Sequence, residues 1–261
     1  MAIKYLKIFW LFFRINYLRA MEYRLNFFTA FLPAFFYSVG YLVFMGAILS
    51  RVPSVSGWDL DKMLLLFAVS QFVHYTQWIF YRVSLERFSE SIRDGSFDSI
   101  AKLPINPRFV SSFRVQSPSA IIPFQFSVAL FFYSIRNISI GPLDTILFLI
   151  LLFCGFFIYY NISFALISLA FFIVDADDLL WFADDITRFG SYPLEIYPAA
   201  AQFILTFVIP VMLLVYVPTT ALIGMVNWTM VIATMVMTVV TWLVSQKIWQ
   251  LGLKHYSSAS S

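Results

Sequence analysis

An all-α integral membrane protein is the fold class the sequence predicts, and three observations predict it. The 261 residues are 61% hydrophobic and 20% aromatic, and only 12% are charged, about half of the roughly 25% usual in soluble domains. Mean hydropathy is +0.83. Apolar runs close to the ~20 residues that cross a bilayer recur six times along the chain. The expected architecture is an N-terminal interfacial amphipathic helix over residues 1–24, then a six-helix transmembrane domain over 25–261 with both termini cytoplasmic.

The first element is read from "MAIKYLKIFWLFFRINYLRAMEYR". Its cations are spread through apolar residues, and no small-residue cleavage site follows a short apolar core, so a removable signal is a poor description. Leu6, Phe9, Trp10, Phe13 and Tyr17 recur at steps of three and four, which gives a helix one apolar face. Arg14, Arg19 and Arg24 can then snorkel to anionic lipid phosphates.

The spans follow near Leu25–Leu49, Met63–Tyr81, Phe109–Ile135, Leu143–Val174, Ala199–Val217 and Asn227–Ile248. The third is broken by Pro118 and Pro123, and the fourth is long enough to tilt or to project beyond the lipid. No internal repeat is visible, so an inverted-repeat transporter has no support. Orientation is read from Lys and Arg. With the N-terminus inside, fourteen of the seventeen, Arg82, Arg108 and Arg188 among them, fall on cytoplasmic segments, and only Arg51, Lys62 and Arg136 fall outside. A multi-pass protein of the cell inner (plasma) membrane is expected. The stretch with Asp175, Asp177, Asp178, Asp184 and Asp185 is expected as an acidic cytoplasmic loop.

Several chemistries find no support. There is no phosphate-binding Gly-x-x-x-x-Gly-Lys-Ser/Thr loop, no His-Glu-x-x-His and no Gly-x-Ser-x-Gly. The single cysteine, Cys154, can form no intrachain disulfide, and His74 and His255 show no ligand spacing. The aspartates lack the full calcium-loop pattern. No catalytic, cofactor or metal residue is assigned, and nothing points to nucleic acid. The spans so read hold no carboxylate at depth, which disfavours coupling to an ion gradient. His74 alone is an ionisable group well inside a span, expected as a hydrogen-bonded residue between helices. Spans dominated by Phe, Leu, Ile and Met suit an apolar or amphipathic cargo.

One polar island stands out, "SIRDGSFDSIAKLPINP" at 91–107, in a cytoplasmic loop of about 82–108 between the second and third spans. Gly95 suits a left-handed helix end, Phe97, Ile100, Ala101 and Leu103 share one face of a short helical turn, and Pro104 and Pro107 stop it. A stiff element of this kind can dock a cytoplasmic partner. On the residues alone an ordinary interfacial loop remains equally open.

The island resembles the Ile-Arg-x-Gly-x-Leu/Phe-Asp-x-x-Leu-x-Lys/Arg-Pro-x-Asn/Ser-Pro signature of six-span permease subunits in the ABC transporter type-2 exporter superfamily. Ile92, Arg93, Gly95, Phe97, Asp98, Pro104, Asn106 and Pro107 match it, with the basic position displaced to Lys102. "EYRLNF" at 22–27 and "SYPLEIYP" before the fifth apolar run are similar to two further stretches of that family. The resemblance implies a half-transporter that pairs with a second permease, identical or homologous, and binds two copies of an ABC ATP-binding subunit. ATP and Mg would then reside on that partner, which hydrolyses the nucleotide, and this chain is no enzyme. Arg93, Asp94, Gly95, Phe97, Asp98, Lys102, Pro104, Asn106 and Pro107 become the expected coupling residues. Phe97 is the expected apolar knob, and the charges set register. A stand-alone scramblase or scaffold is the alternative, and an intramembrane enzyme using His74 or the acidic loop a more distant one.

Overall fold

The computed structural model describes residues 2–22, 24–29, 31–173 and 176–256. Tyr23, the side chain of Arg24, Asp175 and the tail 257–261 lie outside the described residues. Within them the regular elements are helices, with a lone bridge between Val55 and Trp58 in a turn.

Helix α1 (Ala2–Glu22) runs beside the bundle and is followed by the short α2 (Arg24–Thr29). Tyr5 meets Phe109 edge-on at 4.9 Å, Phe9 meets Phe113 at 5.8 Å, and Asn16 donates to the Arg114 carbonyl at 3.0 Å. The apolar stripe therefore divides: Phe9 turns to the protein, while Leu6, Trp10 and Leu18 stay exposed.

Helix α3 (Phe31–Leu49) leads to α4 (Leu60–Gln77), which Asp59 caps through the Lys62 N–H. A π-helical turn at Trp78–Arg82 joins α4 to α5 (Val83–Arg93), so one helix runs 34 residues from Leu60 to Arg93. At about 1.5 Å per residue this exceeds the hydrocarbon thickness by far. The short helices α6 (Phe97–Ala101) and α7 (Pro107–Phe113) follow. A 3₁₀ turn at Pro118–Ala120 precedes α8 (Ile121–Ile135), where Pro118, with no N–H to give, splits the third apolar run. Helix α9 (Pro142–Ser168) and the last helix, α14 (Trp228–His255), are the long remaining members. Among the described residues, five helical segments are long and apolar enough to cross a membrane.

The bundle has two distinct ends. Asn137 donates to Asp61 at 3.0 Å and joins the short-turn end. Arg93 pairs with Asp177 at 2.8 Å and Tyr256 donates to Asp98 at 3.0 Å at the opposite, charged end.

The fifth traverse corrects the sequence expectation. The run expected to span at Ala199–Val217 is broken by Pro210, with Ile209 forced into extended backbone before it (φ −120°, ψ 88°). It forms α11 (Ala199–Phe203), a π turn, α12 (Val211–Leu214) and α13 (Tyr216–Leu222). Tyr216 donates to Glu195, and Glu195 also accepts from Trp58 at the short-turn end, so this run dips into the bundle and returns. The rise from the charged end is made instead by α10 (Asp177–Thr187) and two 3₁₀ turns, Arg188–Ser191 and Leu194–Ile196. Its contacts climb in order: Asp177 to Arg93, Asp184 to Arg82, Ser191 to Ser70, Glu195 to Trp58. The acidic stretch is thus a packed helix rather than a solvated loop. Its polarity hid it, because two of its aspartates are neutralised by arginines that only the fold brings near.

Gly155 of α9 allows the returning run to come close. A Cβ there would lie 2.8 Å from the Leu214 carbonyl oxygen.

Candidate functional site

The charged end is built around an aromatic box. Phe97, 1% exposed, meets Phe88 at 5.6 Å, Phe171 at 5.6 Å, Trp249 at 6.2 Å and Tyr256 at 5.2 Å, each nearly edge-on. Edge-to-face pairs contribute about 0.5–1.5 kcal/mol each beyond burial. Through this one ring α6 is fixed to α5, to the 3₁₀ turn Leu169–Phe171 that continues α9, and to α14. Here the structure differs from the sequence expectation: Phe97 points into its own bundle and is no outward knob. Ile100 is buried with it, whereas Ala101 and Leu103 are exposed.

The charged residues of the island tie the same element to others. Arg93 reaches Asp177 at the start of α10, and Asp98 accepts from Tyr256. Asp94 caps α5; the Ser96 hydroxyl and N–H hold its carboxyl below the ordinary value. Gly95 has φ +74°, the left-handed helix end expected of it. Asn106 caps α7 by accepting from the Arg108 N–H at 2.9 Å, with Pro107 in the first turn. Pro104 accepts from Lys4 at 3.4 Å, which brings α1 to the same place. Lys102 ends α6 and is exposed, as are Ser96, Ser99, Leu103 and Pro104. These exposed residues form the outward ridge. Arg14 and Arg19 are exposed on α1, and Arg19 borders a cleft of about 280 Å³ shared with Arg87, Asp94 and Arg114.

Two arginines that the sequence reading left in solvent are structural links. Arg108 donates to Asn161 at 2.9 Å and to Ser245 at 2.8 Å, and lies over the Phe164 ring at 4.3 Å, joining α7 to α9 and α14. Arg82, fully buried at the π turn, pairs with Asp184 at 2.7 Å. Its guanidinium lies 5.3 Å from the Trp78 ring centroid and 4.8 Å from that of Trp181. Asp184 also accepts from Tyr159 at 2.7 Å and Gln77 at 3.1 Å, so both its oxygens are engaged. This corrects the expectation that no carboxylate is buried among the spans.

A cleft of about 340 Å³ opens between α3, α4, the start of α8 and the fifth traverse. Ser70, His74, Tyr75, Arg188 and Ser191 line its polar side. His74 does not form the interhelical hydrogen bond expected of it among the described residues. Its ring meets Tyr75 at 5.1 Å and Trp78 at 6.2 Å and faces the cleft. Arg188, expected on a cytoplasmic loop, lies within the length of the bundle, 5.7 Å from the Tyr37 ring.

Long apolar helices, deep ion pairs and a folded charged end without a nucleotide loop define a multi-pass membrane protein. The family is shown by the sequence match: a family model described as "ABC-2 family transporter protein" matches residues 35–260. The chain belongs to that family and is a membrane component of a transporter. No curated protein matches it.

Of the sequence-predicted site residues, the fold gathers Arg93 through Pro107 at one end with α1 beside them. It adds Phe88, Phe171, Trp249 and Tyr256, which sequence reasoning missed. Their signal was faint: aromatic residues at the ends of apolar runs look like ordinary membrane-interface anchors.

Proposed function

We propose that this chain is the permease subunit of an ATP-driven ABC exporter, with six membrane crossings, α1 in the interface and both termini in the cytoplasm. It works as one half of a permease pair. Two copies of a separate ATP-binding subunit, which carries ATP and Mg, dock on the charged end, and the cargo is apolar or amphipathic.

The observation that carries this reading is the mounting of α6. A docking element passes on a push only if it is stiff and joined to what must move. One buried ring holds α6 to three long helices, Arg93 holds its approach to the fifth traverse, and its exposed ridge faces away from the bundle. The family match supports the same assignment.

The test is affinity purification from native membranes with mass spectrometry and an ATPase assay. An ATP-binding subunit in equal copy number is expected with the natural chain. It is lost in Lys102→Glu with Leu103→Asp, which changes only exposed positions. Recovery of a well-folded chain with no such subunit, under conditions that keep other transporters intact, counts against the proposal.

A further inference from the structure

We infer that the cleft beside Arg188 is a binding site for the anionic head of an amphiphile, a phosphate or carboxylate carried on a hydrocarbon tail. Its volume, about 340 Å³, falls in the roughly 300–1,000 Å³ range of small-ligand sites. The two sides of the cleft differ in chemistry. His74, Tyr75 and Arg188 offer donors, with the mutually bonded Ser70 and Ser191 hydroxyls beside them, while Pro33, Ala34, Val73, Pro123 and Val215 are apolar.

The charge balance favours an anion. Asp184, the nearest deep carboxylate, spends both oxygens on Arg82, Tyr159 and Gln77. Among the described residues Arg188 has only Asp185 for an ionic partner, at 3.3 Å and with both side chains more than half exposed. Such a pair contributes little, so a guanidinium held there is available to a better acceptor, which a phosphate can engage by two parallel hydrogen bonds. The apolar side then has a use that a free inorganic anion would not give it. The exporter reading supplies only what such a ligand would be for, namely cargo or its head group.

The experiment measures binding of radiolabelled dodecyl phosphate to the full chain in phosphatidylcholine nanodiscs, without ATP or partner. Saturable binding at one site per chain is expected. Arg188→Gln weakens it roughly tenfold or more, the scale of a lost charged hydrogen bond, and Arg188→Lys, which keeps the charge but not the two-bond fork, restores only part of it. Arg136→Gln, which removes an exposed cation at the short-turn end, leaves it unchanged. Inorganic phosphate does not compete at equal concentration, nor does dodecyltrimethylammonium. Unsaturable binding, or binding indifferent to Arg188→Gln, overturns the assignment, and equal competition by inorganic phosphate overturns the amphiphile in favour of a free anion. Should Arg188→Gln lower the unfolding midpoint, a photoreactive dodecyl phosphate on the unaltered chain decides. Adducts within 70–78 or 187–191 support the site, and adducts only elsewhere overturn it. Because the assay needs no ATPase, a missing ATP-binding partner would defeat the exporter proposal and leave this result standing.

Discussion

Single side chains at the charged end and at the π turn have effects large enough to measure. Phe97→Ala empties a fully enclosed ring position, and buried Phe-to-Ala changes cost about 3–5 kcal/mol. A clear fall in the thermal unfolding midpoint in detergent is expected, together with loss of any ATPase stimulation. Asp184→Asn leaves the buried Arg82 guanidinium only the partly exposed Glu86, 3.5 Å away, as a counter-charge among the described residues, and breaking a buried pair from one side costs about 3–5 kcal/mol. The double change Arg82→Met with Asp184→Leu should unfold closer to the natural protein than Asp184→Asn does, because both charges go together. Tyr256 gives a pH test. Partial burial first, and then its hydrogen bond to Asp98, raise its phenol above the ordinary value of 10.0. A raised folded-state value means this contribution is whole below about pH 10 and is lost as pH rises through the raised value. The unfolding midpoint of Tyr256→Phe should therefore fall less between pH 9 and pH 11 than that of the natural chain, about a single ionisation's difference.

At the scale of elements, the returning run α12–α13 depends on the close approach at Gly155. Gly155→Ala sets a methyl against the Leu214 backbone, and overpacking of this kind costs about 1–3 kcal/mol. Gly46→Ala, with nothing within 4 Å, is the matched control and should leave the unfolding midpoint in place or raise it slightly. Which elements were legible in the sequence follows from the same physics. The first, second, fourth and last spans announced themselves because apolar length is their only requirement. The island was legible too, since Gly95, Pro104 and Pro107 act through local backbone geometry. The fifth traverse was not. Two of its aspartates are neutralised by Arg93 and Arg82, more than eighty positions earlier, and no local pattern carries that information. The apolar run 199–217 looked like a span because hydropathy does not register the turn that Pro210 imposes. The aim of Phe97 was missed for a related reason: a ring on a short helix packs inward or outward according to partners such as Trp249 that lie far along the chain.

On the scale of the molecule, the helices, the box and the ion pairs form one linked body between the outward ridge of α6 and the cleft beside Arg188. Phe97 grips α5, α9 and α14. Arg93 reaches α10, the same element that carries Asp184 and leads to Arg188. In the proposed exporter, a displacement of α6 by its partner is therefore carried along the fifth traverse toward the cleft. The claim on which this account rests is that an ATP-binding subunit sits on the ridge. The most direct measurement places a photo-crosslinking amino acid at Ser99, exposed on α6, in native membranes, with a second at Ile232, exposed on α14, as control. The account predicts that position 99 captures one dominant protein, a nucleotide-binding ATPase subunit, and that position 232 captures no such subunit. A folded, membrane-inserted chain whose position 99 yields no ATPase adduct would contradict it.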